Sequence, residues 1–338
     1  MRITPELLLK IARDTASQRT RADRGILAVY LHGSLLSESP LLGGATDIDL
    51  FFIHSDPPTE RREIVRMTDA VHLDIAHHAR ARYRETRQLR LDPWLGTAVN
   101  GARILYDPQH FMDFTQASVR GHFNDPENVL ARVQAQAGRA RSIWLNFQME
   151  PAEPGLESAG LYLEAVEQAA NAIASLNGAP LAVRRLGIEF PQRAAAAGRP
   201  GLYQGLLGLL GAGSIETESL QAWIEAWAKT LKALPRQLAG ARLHPHRLHY
   251  LKAGILSALE GEQPYACLWP LLSTWTETVA LLETEHPDLQ AWREAMEEAG
   301  LFGEAFAGRL QALDAYLDQV EETIEEWSTT HGIMRNEI

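Results

Sequence analysis

The chain has 338 residues, with 32 Lys and Arg against 43 Asp and Glu, for a formal net charge of −11. At 46% hydrophobic and 22% charged residues it has the composition of a folded globular protein of about two domains, which excludes a disordered or collagen-like chain. The single cysteine, Cys267, excludes an intramolecular disulfide and an all-cysteine metal site, and it suits a cytoplasmic setting.

The first ten residues hold only a short leucine run before Lys10, too little for the apolar core of an export signal. The longest purely apolar run, Ile26–Leu31, is far from the roughly 20 residues that span a membrane. Thr4–Ser17 reads as a helix: Thr4 caps, Pro5 fits the first turn, and Leu8, Ile11 and Ala12 share a face. Gly25–His32 is a continuous apolar, β-rich run, as in a strand buried on both faces. Asp47–His54 reads as a second strand, Pro57–Asp69 as a helix, and Ala70–His77 as a third strand. Arg80–Leu89 is basic and helical in pattern, and Asp92 caps a further helix beginning at Pro93-Trp94. Ala102–Tyr106 is a short fourth strand, ended by Asp107-Pro108.

From Asn124 the texture is helical. Helices are predicted over 127–149, 157–177, 179–186, 201–211, 216–234, 244–260, 265–285, 287–299 and 303–328, with breaks at Pro151–Gly155, Asn177-Gly178, Gly198–Gly201, Gly211–Gly213 and Gly261–Pro264. The expected fold is α+β: a small mixed-sheet domain over 1–123, then an all-α domain over 124–338. Residues 1–125 carry as many acidic as basic side chains, so the whole excess of −11 lies beyond them. A broad acidic surface repels nucleic-acid phosphates and attracts cations.

The chemistry concentrates in one stretch. The first strand ends at His32, and Gly33-Ser34 makes the turn. Glycine there lets the backbone approach a phosphate, a helix start adds free N–H donors, and the serine hydroxyl adds one more. Asp47 and Asp49 stand two apart on a strand, so both project from one face, amid Ile48, Leu50, Phe51 and Phe52. Two like charges in that setting need a cation. The all-oxygen ligand set suits Mg²⁺. Asp74 is a third charge inside an apolar strand, and it joins the pair if the second and third strands are neighbours. Three carboxylates suit a site that binds metal and activates a hydroxyl, with Asp74 as ligand, general base or both.

These residues resemble the motif of the nucleotidyltransferase superfamily that includes DNA polymerase β. That motif is an apolar strand, Gly-Ser, a gap of roughly ten residues, Asp-x-Asp with apolar neighbours, and a later acidic residue on a strand. Here it is Leu31-His32-Gly33-Ser34, Asp47-Ile48-Asp49-Leu50-Phe51 and Asp74, with Gly43-Gly44-Ala45-Thr46 leading into the first aspartate. The likeness covers about residues 26–78. A looser one extends to Gly101–Asp107, which is similar to the last strand of this domain in antibiotic nucleotidyltransferases, and to the helical segment Leu161–Gly178 with Pro180 and Arg184-Arg185. The resemblance implies that the first domain is the catalytic one. Gly33 and Ser34 would hold the β- and γ-phosphates of a nucleoside triphosphate, ATP by preference. Asp47 and Asp49, with Asp74, would hold Mg²⁺. AMP would pass to a hydroxyl, with release of pyrophosphate. Some such enzymes take their base from the helical domain, which makes Glu164 and Glu167 candidates beside Asp74.

The acidic helical part points to a small, hydroxylated, cationic acceptor. The alternatives are a protein-modifying (AMPylating) nucleotidyltransferase of regulator or antitoxin type and a non-catalytic nucleotide-binding protein. A nucleic-acid partner does not fit the charge. Arg61, Arg62, Arg80, Arg82, Arg84, Arg87 and Arg90 could serve a triphosphate, but most read as solvated helix faces. His244, His246 and His249 lack zinc-site spacing and read as caps and surface residues. His32 is placed to touch phosphate. Trp223, Trp227, Trp269 and Trp275 read as helical core.

Overall fold

The structure, a computed structural model, describes residues 3–150, 153–283 and 286–333. Pro151 and Ala152 of the expected break, and residues 284 and 285 of the expected helix over 265–285, lie outside the described residues. The chain divides into two units, one ending at Asn128 and one beginning at Val129.

In the first unit, helix α1 (Pro5–Ala22) starts where Thr4 Oγ1 accepts from the Leu7 N–H and Pro5 needs no partner. Strands β1 (Ile26–His32), β2 (Thr46–His54), β3 (Arg62–Arg66), β4 (Val71–Ala79) and β5 (Arg103–Tyr106) form one sheet in the order β3-β4-β2-β1-β5. β2 and β4 are parallel, and the other neighbours are antiparallel. Alternation sorts the side chains. Val29, Leu31, Ile48, Leu50, Phe52, Leu73 and Ile75 pack against Leu8, Ala12 and Ala16 of α1. On the other face, Ala28, Tyr30 and Ile53 meet Leu89, Leu95, Val99, Met112 and Val119, contributed by α2 (Thr86–Leu91), α3 (Leu95–Asn100) and α4 (Phe111–Arg120).

Helix α5 (Pro126–Met149) begins in the last residues of the first unit and runs on into the second, which is otherwise built, among its described residues, of α6 (Leu156–Leu176), α7 (Leu186–Ala196), α8 (Gly201–Leu209), α9 (Thr217–Ala233), α10 (Leu248–Leu259), α11 (Leu268–Val279), α12 (Leu289–Glu298) and α13 (Phe306–Thr330). Trp223, Trp227, Trp269 and Trp275 are buried in the core of the second unit. The fold class is therefore α+β, a mixed five-stranded sheet followed by a helical part. Among the described residues no helix is long and apolar enough to cross a membrane.

Several local expectations are corrected. The helix over 57–69 is instead edge strand β3. The two-residue period of the strand sends Val65 toward the α1-side core, and Glu63 toward α1, where it bonds Arg19. The segment 80–89 is a 3₁₀ turn over Arg80–Tyr83 and then α2. Asp92 Oδ1 accepts from the N–H groups of Trp94 and Leu95, so α3 begins at Leu95. Asp107 does more than end β5: its carboxylate accepts from the N–H groups of Phe111, Met112 and Asp113 and starts α4. The helix over 179–186 is absent, and α7 follows it despite Gly187 and Pro191. Gly187 is required there, since a Cβ would lie 2.2 Å from the Ala266 carbonyl oxygen.

Candidate functional site

Gly43 and Gly44 both have positive φ, which turns the chain tightly between Leu42 and Ala45 and launches β2 at Thr46. Asp47 and Asp49 then project from the face opposite α1. β4 runs parallel, with Asp49 opposite Asp74 and Asp47 opposite His72, and directly opposed residues share a face. One oxygen from each of Asp47, Asp49 and Asp74 lies within 4.8 Å of the others. Asp47 and Asp74 are buried and Asp49 is half-buried. The structure thus brings the three predicted carboxylates together.

Gly33 has φ 89°, and a Cβ on it would lie 2.0 Å from Asp49 Oδ2. Its observed duty is to make room for that carboxylate. The helix start expected after it is only a three-residue 3₁₀ turn, Ser34–Leu36. Ser37 closes this turn by donating its backbone N–H and its hydroxyl to the Ser34 carbonyl. The Ser34 hydroxyl lies 3.4 Å from Thr46 Oγ1, which itself donates to the Pro40 carbonyl. Ser34 is therefore held beside the start of β2.

The partner of Asp74 that the sequence does not reveal is Arg62. Its Nε donates to Asp74 Oδ1 at 2.6 Å and its terminal nitrogen to Oδ2 at 2.8 Å, a two-pronged fork. The signal was present in part, since an aspartate inside an apolar strand calls for a cation. Arg62, however, reads in the sequence only as part of a basic patch, on a helix face or serving a triphosphate. Arg90 is likewise not merely solvated: it donates to the Ser118 carbonyl. Arg80 lies over the Phe111 ring.

His32 stands opposite Asp49. Burial pushes its pKa down to about 4, so the ring is neutral at physiological pH and brings no positive charge to a phosphate. Further along the same face, Phe51 stacks on Tyr30 with centroids 4.7 Å apart. The Tyr83 hydroxyl bridges the Tyr30 hydroxyl at 2.9 Å and His78 Nδ1 at 2.7 Å. Burial holds His78 down to about 4 as well, helped by nearby Arg82 and Arg62.

In the helical unit, Glu164 accepts from Arg139 Nε at 2.7 Å. Burial pushes the Glu167 carboxyl above its ordinary range, against the pull of Arg242 and with Glu277 and Glu164 adding to the rise. The His244 Nδ1 accepts from the His246 N–H, a local cap.

No protein-family model matches the chain, and no curated protein matches it. Among solved structures it is similar to a nucleotidyltransferase-like protein from Exiguobacterium sibiricum 255-15, at 13% identity over 93% of this chain and 91% of that chain, with a TM-score of 0.29. A TM-score that low does not establish a shared fold, so the site stands on its own residues.

Proposed function

We propose that this chain is a Mg²⁺-dependent nucleotidyltransferase that moves AMP from ATP to a hydroxyl of a small, cationic acceptor. One observation carries the reading: three carboxylates from two adjacent parallel strands converge within 4.8 Å on one sheet face. The donors are all carboxylate oxygens, without sulfur or imidazole, which fits a hard divalent cation. Asp47, Asp49 and Asp74 would hold it. When bound, it supplies Lewis-acid activation and neutralises phosphate charge.

The chain's own residues do the rest. Gly33 admits Asp49, and the Gly33-Ser34 turn offers its backbone and the serine hydroxyl to the phosphates. The acceptor oxygen forms a bond to the α-phosphorus. The bond from that phosphorus to the oxygen bridging to the β-phosphate breaks, and its electron pair leaves with pyrophosphate. The acceptor proton passes to a carboxylate base, for which Asp74 is the candidate within the first unit. The excess of 43 acidic over 32 basic side chains supports a cationic acceptor.

The test is pyrophosphate release from each of the four NTPs with Mg²⁺, with and without aminoglycosides and other polyols, using Asp49→Asn as blank. Acceptor-dependent release that vanishes in the blank is expected. Label transferred from ATP to a protein band favours the AMPylating alternative. NTP binding without release favours a non-catalytic nucleotide-binding protein.

A further inference from the structure

Asp74 is a buried anion, and Arg62 is the half-exposed cation paired with it. The side chain of Asp74 is 1% exposed and that of Arg62 48%. Asp74 sits in the middle of a nine-residue strand with hydrogen-bonded neighbours on both sides. Arg62 opens the edge strand β3, opposite Ala76. Arg62 reaches past the short side chain of Ala76 to Asp74, one register back, while Ile64 is the residue directly opposite that carboxylate. Arg62 is thus held to the cluster from its solvent side.

Three carboxylate oxygens within 4.8 Å, two of them on buried residues, repel one another strongly without a positive charge beside them. In this structure the fork from Arg62 supplies one. A divalent cation among the same oxygens would meet that guanidinium as a like charge at close range, and it would compete for the oxygens of Asp74. The half of the Arg62 side chain that already meets water gives the guanidinium a hydrated place to go once a cation takes its place on Asp74.

We propose that Arg62 is the displaceable counter-ion of this cluster. It is a positioning residue that locks Asp74 while no metal is bound, and the arriving divalent cation releases it. The released guanidinium is then available at the solvent edge for an anion such as a triphosphate. The proposal rests on the cation site of the preceding subsection.

The experiment uses the full-length protein without nucleotide, with Mn²⁺ as the spectroscopic stand-in for Mg²⁺ and EPR of the free ion as the readout. Wild-type protein binds Mn²⁺, and Asp49→Asn loses that binding. Arg62→Gln removes the competitor and binds on the order of tenfold tighter than wild type. Arg62→Lys keeps the charge but loses the fork, and tightens by a smaller factor. A purely structural arginine predicts the opposite sign, because Asp74 would be left adrift. Equal or weaker binding by Arg62→Gln, with Asp49→Asn still inactive for Mn²⁺, overturns the counter-ion role and leaves the cation site standing. No binding by wild type overturns both. Circular dichroism shows whether Arg62→Gln folds. If it does not, Arg62→Lys decides: affinity at or below wild type overturns the proposal.

Discussion

The two faces of strand β2 face opposite demands. Toward α1 it presents Ile48, Leu50 and Phe52, all fully buried in an apolar core. On the other side it presents Asp47 and Asp49, which meet Asp74 and gain nothing from burial by themselves. One face makes the sheet stable. The other holds like charges together, at a cost that the first must cover. Charges kept where stability alone would remove them are what the proposed cation site would require.

The largest expected effect tests the charged face. Asp49→Asn removes one cation ligand and one repelling charge together. Pyrophosphate release should fall on the order of a thousandfold, while the melting temperature stays level or rises. A variant that melts early, or that keeps its turnover, breaks the contrast. On the apolar face, Leu50→Ala should cost about 2–5 kcal/mol in denaturant unfolding and leave activity per folded molecule unchanged. Gly33→Ala lies between the two, since it strains a positive φ and drives a Cβ to 2.0 Å from Asp49 Oδ2. It should lose about 1–3 kcal/mol and weaken Mn²⁺ binding as well.

The legible parts of the molecule follow the same division. β1, β2 and β4 announce themselves as apolar, β-branched runs because both faces are covered. The aspartates were visible because charge is conspicuous in such runs, and their meeting needed only that β2 and β4 be neighbours. β3 was hidden. As a five-residue edge strand its Arg-Glu-Ile-Val-Arg sequence lacks the polar–apolar alternation of a half-buried strand, and the prolines before it imitate a helix start. Arg62 was hidden with it, since its partner is set by cross-strand register, which no local pattern carries. α7 was hidden by Gly187 and Pro191, helix breakers whose presence is explained at Gly187 by a distant backbone, that of Ala266.

A smaller effect is the response to acid. His78 and His32 both lie on the carboxylate face, and burial holds each at about 4 against an ordinary value of 6.5. Between those values the unfolded chain binds protons that the folded chain refuses. Their unfavourable effect is therefore absent above pH 6.5 and grows as pH falls toward about 4. From pH 7 to pH 5 each ring should cost up to about 2 kcal/mol of stability. His78→Gln should flatten that loss in unfolding curves measured at the two pH values. An unchanged slope would mean that the ring titrates in the folded protein as it does in the unfolded chain.

The smallest effect contrasts two neighbours. Arg62 and Glu63 are adjacent in sequence and project to opposite faces. Glu63 ties β3 to α1 by accepting from Arg19, and it bonds His77 Nε2 at 2.8 Å. His77 in turn bonds His54 at 2.9 Å. Glu63→Gln keeps the shape, weakens the ion pair to Arg19 and blunts the bond to His77. About 1 kcal/mol of stability should go, because these bonds lie partly in water. Mn²⁺ affinity should not move, since the sheet itself stands between Glu63 and the carboxylates. Arg62→Gln, one residue away, should do the reverse and change cation affinity. If both substitutions shift Mn²⁺ binding alike, the two faces are coupled through β3, and the edge strand is a moving part of the site rather than a fixed wall beside it.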